Sequence, residues 1–112
     1  MSDNGKKIAS LNDAMRANPN AYGRVMVTAG VSHNGPAFIA KALTKVADFK
    51  GFEHGNDPYG EHDFGAFELE DELLFWKIDC YQKGSHYKLG AEHPEDAATT
   101  DRVLTIMLTE EY

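Results

Sequence analysis

The chain lacks the features on which disulfide-stabilised and membrane proteins depend. It has one cysteine, Cys80, among 112 residues. An internal disulfide is therefore excluded, and a reducing, cytoplasmic setting is expected. No apolar run approaches the roughly 20 residues that span a bilayer. The first seven residues contain two lysines with no apolar stretch after them, so neither a secretory signal nor a membrane partner is predicted.

Positive charge is scarce in the second half of the chain. Residues 1–50 carry seven Lys or Arg and three Asp or Glu, a balance of +4, whereas residues 51–112 carry four and fifteen, a balance of −11. Together they give the net charge of −7, and the eight acids between Gly51 and Trp76 have no Lys or Arg among them. Such a field repels nucleic acid and attracts basic protein surfaces. Direct nucleic-acid binding is therefore not expected, and the alternative to a basic partner is a plain solvated acidic face.

What the chain does contain is enough apolar surface for one small folded domain. Its apolar fraction is 42% and its charged fraction 26%, close to globular averages. We expect a single domain over residues 1–112, with residues 1–5 frayed. Apolar residues recur at Ile8, Leu11 and Met15, which predicts a helix over residues 6–18.

Five further elements are predicted from periodicity and turn residues. Residues 23–31 alternate as a strand, and Pro36 begins a helix that ends near Phe49. Residues 64–70 and 73–82 also alternate and are separated by an acidic turn, so they form an antiparallel hairpin. Pro94 followed by acids, and then five apolar residues in six positions, predicts a last helix.

The predicted fold is therefore α+β, with the element order α-β-α-β-β-α. An antiparallel sheet of about three strands would carry helices packed on one face. In the second hairpin strand, Leu74, Trp76, Ile78 and Cys80 should face the core. The opposite face, with Phe75, is too apolar for open water, so the first helix or a second copy of the chain, as a homodimer, should cover it.

Residues 56–65 combine ionisable groups and turn residues more densely than any other window. With the preceding histidine, the segment offers imidazole and carboxylate ligands suited to Zn or Mn at His54, Asp57, Glu61, His62 and Asp63. The spacing matches no standard metal motif. In the alternative interpretation these side chains bond the local backbone in a turn, and no cofactor is bound.

A histidine oriented by a carboxylate is a common acid–base pair, and His62 could form one with Asp63 or Asp79. No nucleophile accompanies it, because Cys80 is predicted to face the core and would be inert there. A small metal- or histidine-dependent hydrolase that uses residues 54–63 is therefore the alternative function, and no catalytic residue is assigned.

The preferred function is a non-enzymatic module that binds a protein with a basic surface. Aromatic rings beside acids suit such an interface, because rings supply contact area and carboxylates supply steering. The predicted contact residues are Asp57, Tyr59, Glu61 and Asp63, with an acidic rim of Glu70, Asp71 and Glu72.

Several segments together resemble a known bacterial family, and the resemblance extends from Ile8 to Tyr112. The segments are RVMVTAGV (24–31), NDPYGEHDFG (56–65), FWKID (75–79), RVLTIML (102–108) and EEY (110–112). They are similar to the domain-of-unknown-function family numbered 3768, found mostly in alphaproteobacteria and often near plasmid and phage genes. The resemblance implies no catalytic residue. The genomic context of this family suggests a mobile-element accessory protein, such as an anti-CRISPR-like inhibitor of a host defence complex.

Overall fold

The computed structural model describes residues 3–112, which form one α+β unit with a four-stranded sheet. The helices are α1 (Asp3–Ala17), α2 (Pro19–Tyr22), α3 (Ala29–Ser32) and α4 (Pro36–Ala47). The strands are β1 (Arg24–Val27), β2 (Phe64–Leu69), β3 (Glu72–Gln82) and β4 (Thr100–Leu108). Short 3-10 helices at Ala97–Thr99 and Thr109–Glu111 flank β4. None of the helices in this part of the chain is long and apolar enough to cross a membrane.

The sheet is mixed and has the strand order β1-β4-β3-β2. The predicted hairpin is confirmed, with β2 antiparallel to β3 and Gly65 opposite Trp76. Strand β4 runs antiparallel to β3 and parallel to β1. The prediction of about three antiparallel strands is therefore wrong in number and direction, because the fourth strand comes from a segment predicted to be helical.

The predicted last helix is strand β4, which occupies the centre of the sheet. Five of its nine residues are apolar side chains buried on both faces of the sheet, namely Val103, Leu104, Ile106, Met107 and Leu108. A strand covered on both faces has no alternation of apolar and polar residues, so its pattern resembles that of a buried helix. Proline and acids before it form a loop that includes a 3-10 turn capped by the Asp96 carboxylate.

The other predicted elements are found close to their expected positions. Helix α1 ends at Ala17, before Pro19, which cannot continue the backbone ladder. It begins at Asp3, inside the segment predicted to be frayed; residues 1 and 2 lie outside the described part. Helix α4 begins at Pro36 as predicted. Strand β1 is shorter than expected, because the helical turn α3 follows at Ala29.

All the long helices pack on one face of the sheet, as predicted. Leu74, Trp76 and Ile78 are buried there against α1 and α4, and Trp76 has no exposed surface. Cys80 lies partly buried on the same face. Burial raises the pKa of the Cys80 thiol, and nearby acids add to this effect against the opposing charge of Arg102. The thiol is thus a packing group rather than a reactive thiolate.

On the opposite face of the sheet, Phe75 is covered by the last residue of the chain and not by the first helix, whereas Leu73 and Met26 stay exposed there. Tyr112 packs edge-on against Phe75 and Phe64, with ring centroids 5.5 and 6.1 Å apart. The Glu111 carboxylate fixes this end by accepting hydrogen bonds from Thr28 and the backbone of Gly30 and Leu108. These bonds lower the pKa of Glu111, the Thr28 hydroxyl contributing most.

Candidate functional site

His62 is held between two carboxylates at the start of β2. Its Nδ1 lies 2.9 Å from Asp13 Oδ1 in α1, and its Nε2 lies 3.7 Å from Asp57 Oδ2. The backbone N–H of His62 donates to the other oxygen of Asp57 over 3.0 Å. The His62 ring also stacks on Phe52, with centroids 4.0 Å apart. These contacts fix a residue whose φ of 56° lies in the left-handed region.

A buried arginine anchors this arrangement to the rest of the fold. Arg16 donates to the carbonyl oxygens of Val46 and Phe49 over 2.7 and 3.0 Å, at the end of α4. Its other terminal nitrogen donates to Asp13 Oδ1 over 2.8 Å, the same oxygen that His62 contacts. The guanidinium also lies 5.1 Å from the ring centroid of Phe52. Arg16 therefore connects α1, the end of α4 and the loop that carries His62.

A second buried pair fixes the residue before His62. The Asn12 side chain donates to the carbonyl oxygen of Glu61 over 2.9 Å and accepts from Arg102 Nε over 2.9 Å. Asn12 has no exposed surface and Arg102 has 4%. Because a buried amide with both ends satisfied is strongly directional, this contact determines where the Glu61 backbone lies. The Glu61 side chain itself is partly exposed.

The loop between α4 and β2 forms an open cleft of about 580 Å³ beside His62. We call it the acidic cleft. Its lining residues include three acids, two histidines and an exposed tyrosine, namely Glu53, Asp57, Glu61, His54, His62 and Tyr59. No Lys or Arg lines it among the described residues. Tyr59 is 76% exposed at its rim, whereas the Asp57 side chain is only 6% exposed.

Carboxylates crowd one another behind the acidic cleft. Burial raises the pKa of Glu61, and the charges of Asp63 and Asp57 raise it further. Burial also raises the pKa of Asp63; a backbone hydrogen bond opposes this, and the charges of Asp57 and Asp79 add to it. A positive charge bound beside these two carboxylates would favour their ionised forms.

The comparison with protein families matches the protein of unknown function family DUF3768 over residues 27–111. The chain belongs to this family. No curated protein and no solved structure matches it. The DUF3768 match includes α4, the acidic cleft loop and strands β2 to β4. Asp13 and Arg16, which hold the cleft from α1, precede the matched segment.

Two groups of predicted contact residues lie at opposite ends of β2 in this DUF3768 protein. Asp57, Tyr59, Glu61 and Asp63 precede the strand, whereas Glu70, Asp71 and Glu72 follow it in the hairpin turn. A six-residue strand separates them by roughly 17–20 Å. Glu70 pairs with Lys41 at 3.4 Å, although both side chains are mostly exposed. The acidic rim is therefore a separate surface from the acidic cleft.

The structure brings together only some of the residues that were predicted to bind a metal or to form an acid–base pair. His54 and His62 both line the acidic cleft, but no three His, Cys, Asp or Glu side chains within residues 3–112 are grouped to hold a metal ion. The ring of His62 contacts Asp13 and Asp57 instead of Asp63 or Asp79. Asp79 instead pairs with Lys77 at 2.9 Å.

Sequence reasoning missed the residues that position the cleft. Asp13 and Arg16 are three residues apart on α1 and form an ion pair there, a spacing that the sequence displays. Asn12 and Arg102 carry no comparable signal. They are 90 residues apart and are brought together only by packing of α1 on the sheet.

Substituting Asp63 with Asn should raise the thermal midpoint at about pH 7. The raised pKa means that the folded state binds a proton more readily than the unfolded state, so ionisation of Asp63 costs stability as pH rises above its ordinary value of 3.8. The advantage of Asn should shrink as pH falls and disappear near pH 3, where neither side chain is charged. Thermal melts across this range test the prediction, and a gain that does not change with pH would contradict it.

Proposed function

We propose that this DUF3768 protein is a non-enzymatic binding module whose acidic cleft receives basic side chains of a partner protein. The observation that carries the proposal is the composition of the cleft. Three acids and an exposed tyrosine line a concave surface, and no described lining residue supplies a compensating positive charge. A Lys or Arg side chain of a partner would supply that charge.

The residues of the cleft divide into positioning groups and contact groups. Asp57 is occupied by His62, and the loop is held by Arg16 and Asn12, so these side chains build the wall. Glu53, Tyr59 and Glu61 remain to meet a partner. A tyrosine on the rim offers its ring face to a guanidinium or ammonium group, an arrangement that favours Arg.

Carboxylate crowding gives the cleft a further preference for cations. Because burial and neighbouring acids raise the pKa of Glu61, a bound positive charge favours its ionised form. The acidic rim at the hairpin turn acts separately, by steering a basic surface towards the protein. The acidic rim should therefore mainly affect the association rate, and the acidic cleft the dissociation rate.

A specific form of this proposal is an inhibitor encoded by a mobile element. Such a protein would occupy the basic, nucleic-acid-binding groove of a host defence complex in the cytoplasm, in the manner of an anti-CRISPR protein. The acidic balance of the second half of the chain supports this form, because it imitates the charge of a nucleic acid. A second copy of the chain is the other partner that we consider.

The geometry gives less support to a histidine-dependent hydrolase. Both ring nitrogens of His62 face carboxylates, so neither is directed at a substrate. The thiol of Cys80 lies on the core face with a raised pKa. A general base without a neighbouring nucleophile or a free nitrogen lacks the arrangement that such catalysis requires.

Charge reversal at the cleft should weaken binding to a basic probe more than the same reversal at the rim. The variants are Glu53→Lys with Glu61→Lys and, as the matched control, Glu70→Lys with Asp71→Lys. Both pairs change the net charge equally. We expect the cleft pair to weaken binding of a short arginine-rich peptide by about tenfold or more, mainly through faster dissociation.

Surface plasmon resonance with the peptide at two salt concentrations separates these effects. The rim pair should slow association and reduce its dependence on salt, with little change in dissociation. Equal weakening by the two pairs would refute the cleft as the binding site and leave only a general attraction. Tyr59→Ala should lower affinity without altering the salt dependence, because it removes contact area and no charge.

A further inference from the structure

Three of the eleven Lys and Arg residues of this acidic protein meet at one pocket. It lies where β1 and β4 begin and β3 ends, and it has a volume of about 410 Å³. We call it the positive pocket, and the residues that matter in its wall are Tyr22, Arg24, Lys83, Tyr87, Asp101 and Arg102. Its size falls in the range of small-molecule sites, which is roughly 300–1,000 Å³.

One of its positive charges is fixed in place by the fold. Arg102 is 4% exposed, and its Nε donates to Asn12 Oδ1 over 2.9 Å while Nη2 donates to the carbonyl oxygen of Pro94. Neither of these acceptors is a carboxylate, so they orient the guanidinium without cancelling its charge. Arg24 and Lys83 are exposed at the same pocket. Arg102 therefore adds buried positive charge to the pocket wall. The exposed Arg24 and Lys83 side chains are the groups that can reach an anion with several oxygens.

Two exposed tyrosines accompany these charges. Tyr22 is 56% exposed and Tyr87 is 39% exposed. The Arg24 guanidinium lies 5.0 Å from the centroid of the Tyr87 ring, which also packs edge-on against Tyr81 at 5.7 Å. Rings held in this way present a flat apolar surface beside positive charge. Such surfaces stack aromatic bases without regard to their sequence.

The loop that carries Tyr87 has an uncommon backbone. Gly84, His86 and Tyr87 have φ angles of 85°, 56° and 61°, all in the left-handed region. This region is unfavourable for residues with a side chain, and such residues persist only where surrounding contacts enforce them, most often at ligand sites. The Tyr87 ring in this loop contacts Arg24 and Tyr81.

We propose that the positive pocket binds a nucleotide, with its phosphate on Arg24 and Lys83, near the buried charge of Arg102, and its base against Tyr22 or Tyr87. Asp101 would accept a hydrogen bond from a sugar hydroxyl. A groove of about 460 Å³ continues from the pocket across the outer face of the sheet and shares Arg24 and Tyr87 with it. That groove gives room for a second nucleotide, so the ligand is either a free nucleotide or a short single strand.

The inference does not rest on the proposed function, because the pocket and the acidic cleft have no lining residue in common. Residues of β1 and β4 and the loop after β3 line the pocket, whereas the loop before β2 forms the cleft. The charge balance of the whole chain predicted that nucleic acid would be repelled. A local cluster of opposite sign overrides that average at short range, because screening in physiological salt limits charge effects to about 8 Å.

Calorimetry with AMP, adenosine, inorganic phosphate and a short single-stranded oligothymidylate tests the proposal. We expect AMP to bind, with adenosine and phosphate each about tenfold weaker or more, because each lacks one of the two recognised groups. Arg24→Glu with Lys83→Glu should abolish binding. Lys6→Glu with Lys7→Glu makes the same charge change at an exposed end of α1 and should leave binding unchanged.

The contact of the nucleotide base with the tyrosine rings is tested separately. Tyr22→Ala combined with Tyr87→Ala should weaken AMP binding by about tenfold and leave the weak binding of phosphate unaltered. Tighter binding of the oligonucleotide than of AMP, lost in the Arg24 and Lys83 double variant, would identify the single strand as the ligand. The proposal is overturned if neither AMP nor the oligonucleotide binds at millimolar concentration, if the double variant binds as the native protein does, or if phosphate alone binds as tightly as AMP.

Discussion

Substituting Arg16 with Ala should lower the free energy of unfolding by about 3 kcal/mol, which corresponds to on the order of 10 °C in Tm. The guanidinium satisfies the carbonyl oxygens of Val46 and Phe49 and neutralises Asp13. Its removal leaves these acceptors without a donor at a site where Arg16 is 6% exposed. An unsatisfied buried acceptor costs roughly 1–3 kcal/mol, and several are created together.

Two further variants separate the geometry of Arg16 from its charge. Arg16→Lys keeps the charge but has no planar guanidinium, so it cannot reach both carbonyls and Asp13 at once. Its free energy of unfolding should therefore lie between those of the Ala variant and the native protein. Lys45→Ala removes an exposed positive charge from α4 and should change stability by less than about 0.5 kcal/mol. Chemical denaturation measures all three.

Loss of Arg16 should also loosen the acidic cleft. Asp13 would have no partner besides His62, and Phe52 would lose the guanidinium above its ring. The backbone amide of His62 donates to Asp57. We expect this amide to exchange faster in the Arg16→Ala variant than in the Arg16→Lys variant. A loss of stability below about 1 kcal/mol, with unchanged exchange at His62, would show that Arg16 does not anchor the acidic cleft.

The hairpin was predictable because its strands are covered unequally on their two faces. Leu74, Trp76 and Ile78 alternate with Phe75 and Lys77, which are partly exposed, and this period of two is visible in the sequence. Strand β4 was not predictable on the same basis. Both of its faces are buried, and an even apolar run carries no period. Its β-branched residues were the available indication of a strand.

The position of the acidic cleft was predictable from composition, but the contacts that hold it in place were not. Residues 56–63 stand out because turn residues and acids are dense there, and such chemistry is local. The contact of Asn12 with Glu61 spans 49 residues and that with Arg102 spans 90. Contacts at this separation depend on how α1 packs against the sheet. A single sequence contains no record of that packing beyond the apolar stripe of the helix.

The positive pocket escaped notice for the opposite reason. Its charges are separated along the chain, with Arg24 in β1, Lys83 after β3 and Arg102 in β4. Only the central position of β4, parallel to β1 and antiparallel to β3, brings the three chain segments to one end of the sheet. The error in assigning β4 therefore concealed the pocket as well as the topology.

Gly23→Ala should destabilise the protein by about 3 kcal/mol, because β1 approaches β4 too closely there for a side chain. A Cβ at this position would meet the carbonyl oxygen of Arg102 at less than any normal separation, and Met15 Cε and Sδ at 2.9 Å. Met15 has no exposed surface, so it has little room to move, and the carbonyl belongs to the central strand. Relief would require β1 to shift away from β4 at the pairing of Arg24 with Val103.

Gly55→Ala is the matched control, because a Cβ at Gly55 meets nothing within 4 Å. This substitution should change the stability by less than about 0.5 kcal/mol. Hydrogen exchange of the β1 amides distinguishes local release of the edge strand from global loss, because only release would accelerate exchange in β1 ahead of β3. Equal stability of the Gly23 and Gly55 variants would mean that β1 can move away from β4 at little cost in stability. The geometry of the positive pocket, whose wall includes Gly23, would then need revision too.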